Sequence, residues 1–251
     1  MPSRAAKAAL YFIPILILLV FVVWMEVSPY QLAPMTIEDG WVENGTAIGF
    51  GIGAIAFALA AWRVPSLRNS AKKWAPAMTI CWAMLAFVCM GEEISWGQRI
   101  FNFSTPEVVK EDNVQGEFNL HNMAFMDDDV LGGKYRFISV YLLLGGLGIP
   151  LAARTKWGKS LAKSTYFPVL PWCYSSLWVG AYIYGKYYFA WHPVPHLVPK
   201  DAATEIRELM MGVGTAFFGI HALLWPSEVY VTPQAEAAAS VVQEDASSVT
   251  V

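Results

Sequence analysis

The chain has 251 residues, 56% hydrophobic and 15% charged, with a net charge of −3 and a mean hydropathy of +0.41. A soluble domain is nearer a quarter charged, so the composition argues against a water-soluble globular fold and offers nothing for nucleic acid. It fits an all-α, polytopic transmembrane helical bundle, and eleven Trp, eleven Tyr and fourteen Phe supply rings that settle at headgroup level.

About six apolar runs approach the roughly 20 residues that cross ~30 Å of hydrocarbon. The first, 10–26, has a basic start in Arg4 and Lys7. Its length and the Trp24-Met25-Glu26 end are poor material for a cleavage site, so an uncleaved first helix is expected. The second and third cover 45–62 and 74–90, and the fourth covers 137–151. The fourth is short and carries Gly145, Gly146 and Gly148, which predicts close packing on a neighbour. The fifth covers 166–189 and the sixth 206–225. A small, acidic tail over 229–251 has a disordered composition, which leaves 1–228 as one membrane domain with a long outer loop near 91–135.

Basic residues orient the bundle. Arg4, Lys7, Arg63, Arg68, Lys72, Lys73, Arg154, Lys156, Lys159 and Lys163 fall on one side in short connections. Under the positive-inside rule both termini are then cytoplasmic and the acidic loops face outward, which in a bacterium means the periplasm. Cys81, Cys89 and Cys173 lie in apolar runs without metal or redox spacing and read as packing residues.

Unusual polar groups gather on the predicted outer face. Residues 91–99 read Gly-Glu-Glu-Ile-Ser-Trp-Gly-Gln-Arg directly after an apolar run. Ionisable groups in lipid cost several kcal/mol unless paired or wet. If the helix continues, Glu92, Ser95 and Arg99 share one face, Glu93 and Trp96 another, and Glu92 or Glu93 pairs with Arg99. Residues 115–122 add Gln115, Glu117, Asn119, His121 and Asn122. On a helix, Glu117 would sit one turn from His121 and orient its imidazole. His192-Pro-Val-Pro-His196 cannot be regular helix. Its imidazoles, with Glu93 and His121, are the candidates for holding a divalent metal, although no cofactor is specified. Glu205 and Glu208 open the sixth run, whereas His221 lies too far along it to join them and is expected to be a packed or a cytoplasmic-end histidine.

The paired motifs, Gly-Glu-Glu-Ile-Ser-Trp-Gly-Gln-Arg at 91–99 and Asn-Leu-His-Asn at 119–122, resemble a group of bacterial multi-pass inner-membrane proteins of no established activity. The Glu38-Asp-Gly stretch with Glu43 also fits that group. A more distant resemblance is to the CAAX-protease family, whose signature opens with Glu-Glu and places an Arg four residues later. Glu92 and Glu93 match the opening, while Arg99 stands six residues after Glu93.

These features frame three expectations. The first is a membrane-embedded hydrolase acting on a lipid or membrane peptide. Glu92 or Glu93 would be its general base, His121 a partner, Asn119 or Asn122 an oxyanion donor, and Trp96, Arg99, Glu117, Glu205 and Glu208 the support. The second is a transporter whose outer acids recruit a cation or proton. The third is an accessory subunit of a larger membrane assembly.

Overall fold

The computed structural model describes residues 4–28, 31, 33–36, 40–63, 76–127, 133–187 and 200–230. Among them the secondary structure is helical, apart from one isolated bridge between Asn113 and Met123. Each of the six apolar runs overlaps a described helix: α1 (Arg4–Val27), α2 (Trp41–Arg63), α3 (Ala77–Glu93), α4 (133–152), α6 (Trp172–Lys186) and α7 (Lys200–Leu224), although residues 166–171 at the start of the fifth run are not helical. Between them α5 (Lys156–Thr165) is a short amphipathic helix, capped where the Thr155 hydroxyl accepts the Gly158 N–H at 3.0 Å. By length and apolar composition two described helices can cross a membrane, α2 and residues Tyr135–Ala152 of α4. A third is added if α3 and the bent segment after it form one span.

The bundle is built around α2 and α7, whose backbones nearly touch. A methyl group on Gly49 would lie 2.6 Å from the Gly212 carbonyl carbon, and one on Gly53 would press on Thr215. Small residues at four-residue spacing let two helices approach this closely, which is how helices pack where water supplies no hydrophobic drive. α3 packs on α2, α6 on α7, α4 on α6, and α1 against α6 and α7.

Trp178 of α6 is the central wedge and is fully buried. It occupies the space left by Gly145 and Gly146 of α4 and abuts Gly214 of α7, so the expected close packing of the fourth run is met by an indole. α4 widens into a π-helix over Tyr141–Gly148 at this contact. Phe57, Trp82, Tyr141 and Phe218 complete an edge-to-face cluster around it. Outward faces of α1 and α2 expose Phe12, Leu16, Ile48 and Ile55, as a lipid-facing surface should.

Val229 and Tyr230, which composition alone assigns to the tail, are buried. The Val169 N–H donates to the Val229 carbonyl at 3.0 Å, and the Tyr230 hydroxyl meets that of Thr79 at 3.0 Å. The packed unit therefore runs to Tyr230, because an aromatic and a β-branched side chain can dock where the small residues beyond cannot. The rest of the tail lies outside the described residues.

Candidate outer-face site

The helix that carries Glu92 and Glu93 does not continue through the motif. α3 stops at Glu93, and the next helical segment, Ser95–Phe101, leaves at 70°. Ser95, Trp96 and Gly97 have φ of 46°, 54° and 78°. A left-handed residue other than glycine costs about 1–2 kcal/mol, so the turn persists only where side-chain contacts hold it. Trp96 folds back over Gly91, where any larger residue would meet its ring, and its indole N–H donates to Glu92 Oε1 at 2.7 Å. The expected shared face of Glu92, Ser95 and Arg99 is lost, because the turn intervenes between them.

The other Glu92 oxygen accepts two consecutive backbone amides, Leu120 at 2.6 Å and His121 at 3.0 Å. Glu92 is thus surrounded by donors, the setting an ionised carboxylate satisfies, and it pins the distant 119–122 motif to the end of α3.

A second knot lies beside it. The Ser95 hydroxyl donates to Glu117 Oε2 at 2.5 Å, and the Asn119 amide donates to Ser95 Oγ at 3.1 Å and Glu117 Oε2 at 2.9 Å. Arg99 donates to Glu117 Oε1 at 2.9 Å and Glu43 Oε1 at 3.3 Å, tying the loop to α2. Asn113 Oδ1 accepts the Gln115 and Glu117 amides, and its Nδ2 donates to Asn119. The Gln98 amide spans the Phe118 N–H and the Thr105 hydroxyl. Residues 94–127 form a compact polar plug across the end of α3, not a loose loop.

This geometry divides the sequence candidates. Glu117 is committed to Ser95, Asn119 and Arg99. It does not reach His121 as a helical neighbour would, because residues 113–123 form turns closed by the Asn113–Met123 bridge. The Asn119 Nδ2 bonds within the knot, and the Asn122 Nδ2 donates to Gln115. Neither asparagine lines the cavity described below, so the expected oxyanion donors are framework. Arg99 pairs with Glu43 and Glu117, not with Glu92 or Glu93.

A cavity of about 290 Å³ opens beneath the plug. Glu92, Glu93, His121 and Glu208 form its polar end, and Phe50, Leu85, Val88, Phe137 and Met211 are among its apolar walls. Glu208 is buried on the first turns of α7, while Glu205 does not line this cavity. His121 Nδ1 lies 3.5 Å from Glu92 Oε2. That is ion-pair range, but the direction does not make a hydrogen bond, and the nitrogen is buried. A small ring rotation would close the contact and fix the imidazole with Nε2 available for chemistry.

No protein-family model, curated protein or solved structure matches the chain. The functional reading therefore rests on the site itself.

Among the described residues no three His, Cys, Asp or Glu come together to hold a metal ion. Glu93 and His121 line one cavity but belong to no such group, and His192 and His196 lie outside the described residues. At the opposite end of α7, His221 is fully buried. It lies 3.1 Å from Glu228 and 3.2 Å from the Tyr174 hydroxyl, with Tyr11 stacked on its ring. It is packed and remote from the outer cluster, as its position along the run predicts.

Sequence reasoning passed over Asn113 and gave Ser95 and Gln98 no role of their own, yet all three hold the plug. A single signal was available for Asn113 and Ser95: short polar residues bordering Gly97 and Gly116, the kind that bond to local backbone in turns.

Proposed function

We propose that the chain is a multi-pass protein of the bacterial inner membrane, with six crossings and both termini cytoplasmic, that works as a membrane-embedded hydrolase at its outer face. Six helices matching six apolar runs, and the Lys and Arg bias of the connections, support the topology. One observation supports the chemistry: an imidazole whose Nδ1 faces a carboxylate lines a largely apolar cavity together with two further acids.

In this reading His121 Nε2 takes a proton from water, and the resulting hydroxide attacks an ester or amide carbonyl. Glu92 positions His121 and does not touch substrate. Glu93 delivers a proton to the leaving group, and Glu208 shapes the field across the cavity. This moves the general base from the carboxylates to His121, because the Glu92 oxygens are already occupied by three donors.

A transport pathway would need polar groups through the depth of the bundle. Among the described residues, the interior hydroxyls of Tyr141 and Thr215 bond to each other at 2.6 Å, and those of Thr79 and Tyr230 do likewise. That arrangement favours a site at one face over a conduit.

The test is to incubate full-length protein in proteoliposomes of bacterial lipid extract and follow new cleavage products by mass spectrometry. Wild type is expected to generate products that His121→Ala and Glu93→Gln do not. Identical product profiles from wild type and His121→Ala sink the assignment.

A further inference from the structure

The end of the bundle opposite the plug carries a different surface. From Tyr135 to Ala152, α4 has 18 residues of membrane composition. That is ~27 Å at 1.5 Å per residue, close to the ~30 Å of a hydrocarbon core. Val140, Leu144, Leu147 and Leu151 are exposed along it at three- and four-residue spacing, a stripe fit to face lipid. The stripe runs out at the membrane boundary, and α5 begins there after the short link 153–155.

Gly158 of α5 is seated against the Ala152 carbonyl, where a methyl group would come within 1.9 Å. This contact folds α5 back on the end of α4 and turns Gly158 and Ala162 inward. Two other faces are left outside. Trp157 and Leu161, one turn apart, are 73% and 47% exposed. They border the same apolar hollow as Ile149 and Ala152, so this face continues the wall of α4. Lys156 and Lys159 share the next face and are exposed. Lys163 follows on that face but is half-buried and has contacts of its own.

No acid answers the two lysines. Residues 130–200 contain no Asp or Glu. Among the described residues no acid pairs with Lys156 or Lys159. Glu228, the described acid at this end of the bundle, is held by His221 and Tyr11. Arg154 in the link adds a further cation, 4.3 Å over the Trp172 ring.

We propose that α5 lies in the membrane–water boundary and holds the phosphate of an anionic phospholipid between Lys156 and Lys159, with Trp157 and Leu161 set among the acyl chains. The inference goes beyond the hydrolase reading and shares only the membrane topology with it. A free phosphate, a nucleic acid or an acidic protein surface would answer the lysines and leave the indole and the leucine in water. A lipid answers both faces, because its charge and its hydrocarbon lie on the two sides of one boundary. The chain's own tail carries Glu236, Glu244 and Asp245, but its small residues offer little to Trp157.

The experiment uses full-length protein in phosphatidylcholine vesicles at physiological salt. Trace probes of phosphatidylglycerol or phosphatidylcholine carry a diazirine at the head of the same acyl chain, and labelled peptides are mapped by mass spectrometry. A cation near an anionic surface is worth ~1 kcal/mol, about fivefold. Phosphatidylglycerol is therefore expected to label residues 154–165 about 25-fold above phosphatidylcholine, whose phosphate is answered by its own ammonium. Lys156→Gln and Lys159→Gln should each reduce that ratio to about fivefold, and the double variant to about one. Trp157→Ala with Leu161→Ala should weaken labelling by both lipids and leave their ratio. Lys110→Gln, at an exposed lysine of the plug, should change neither.

Equal labelling of α5 by the two lipids overturns the proposal. So does a fall with Lys110→Gln as large as with Lys156→Gln, since the ratio then reports net charge alone. A carbodiimide crosslink from Lys156 or Lys159 to the tail acids in most molecules overturns it too, the tail then being the occupant. Absence of label from either lipid along residues 144–151 defeats the membrane topology, whereas label there with an even ratio on α5 defeats this proposal alone.

Discussion

Exchanging Glu92 for Gln separates framework from chemistry. Glu92 Oε1 accepts the Trp96 indole N–H, and Oε2 accepts two plug amides. Gln is isosteric but offers one acceptor oxygen and one donor group. If the oxygen stays with the Leu120 and His121 amides, the new NH₂ faces the Trp96 N–H. Two charge-assisted bonds then become neutral ones, a loss of about 1 kcal/mol each, and the third is lost for about 1 more. The expected destabilisation is ~3 kcal/mol, or a melting-temperature drop of roughly 6–12 °C for a chain of this size. Glu93→Gln, on the half-buried cavity wall, should shift stability by under ~1 kcal/mol. The assay is thermal unfolding in detergent, paired with limited proteolysis across residues 103–127, which should become cleavable in Glu92→Gln alone. Equal melting temperatures for the two variants, or a larger drop for Glu93→Gln, would refute the division between a structural and a chemical carboxylate.

Trp96→Phe keeps the ring over Gly91 but removes its donor. It should cost about 1.5–3 kcal/mol alone and add less than that on top of Glu92→Gln, a coupling read from a double-mutant cycle. Gly49→Ala must push α2 off the α7 backbone and should cost at least ~1–3 kcal/mol. Gly51→Ala on the same helix meets only the flexible Met90 thioether and should gain up to ~1 kcal/mol from helix propensity; the two melting temperatures should move in opposite directions. Burial pushes the Tyr230 phenol up to about 12, against the relieving bond to Thr79. Its stabilisation is therefore complete below pH 10 and lost as pH rises through about 12, ~2–3 kcal/mol in all. A melting-temperature profile from pH 9 to 12 should be flatter in Tyr230→Phe than in wild type.

The helical class and the helix positions were legible in the chain because apolar runs of membrane length leave few alternatives. The fourth run shows the reach of that reading. Its glycines predict a close neighbour, and the neighbour is Trp178, but nothing local to residues 145–148 says which ring fills the space. The tighter contact, Gly45-Gly49-Gly53 against Leu209, Gly212 and Thr215 in turn, is a four-residue repeat visible in the sequence. Its partner was not, since pairing depends on which two faces meet. The plug was the least legible part. Residues 115–122 have the spacing of a helix turn, yet Asn113 captures two of their backbone amides and closes them into turns. Such local competition with the backbone is what short polar side chains do.

Why the two adjacent glutamates part company can be traced to one turn. Neighbours on a helix point about 100° apart, so one of the pair must face the loop and the other something else. Which is which depends on where the chain goes after Glu93. Ser95 and Trp96 in left-handed conformations send it back across Gly91, placing an indole N–H on Glu92 and leaving Glu93 on the cavity. A residue bulkier than glycine at 91 would displace Trp96 and, with it, the loop that carries His121. The geometry of the imidazole and the stability of the plug are consequently set by the same carboxylate. Any substitution that loosens Glu92 must move His121, because the Leu120 and His121 amides both donate to its Oε2. Loss of activity in a Glu92 variant therefore carries weight only when the plug is shown to be closed.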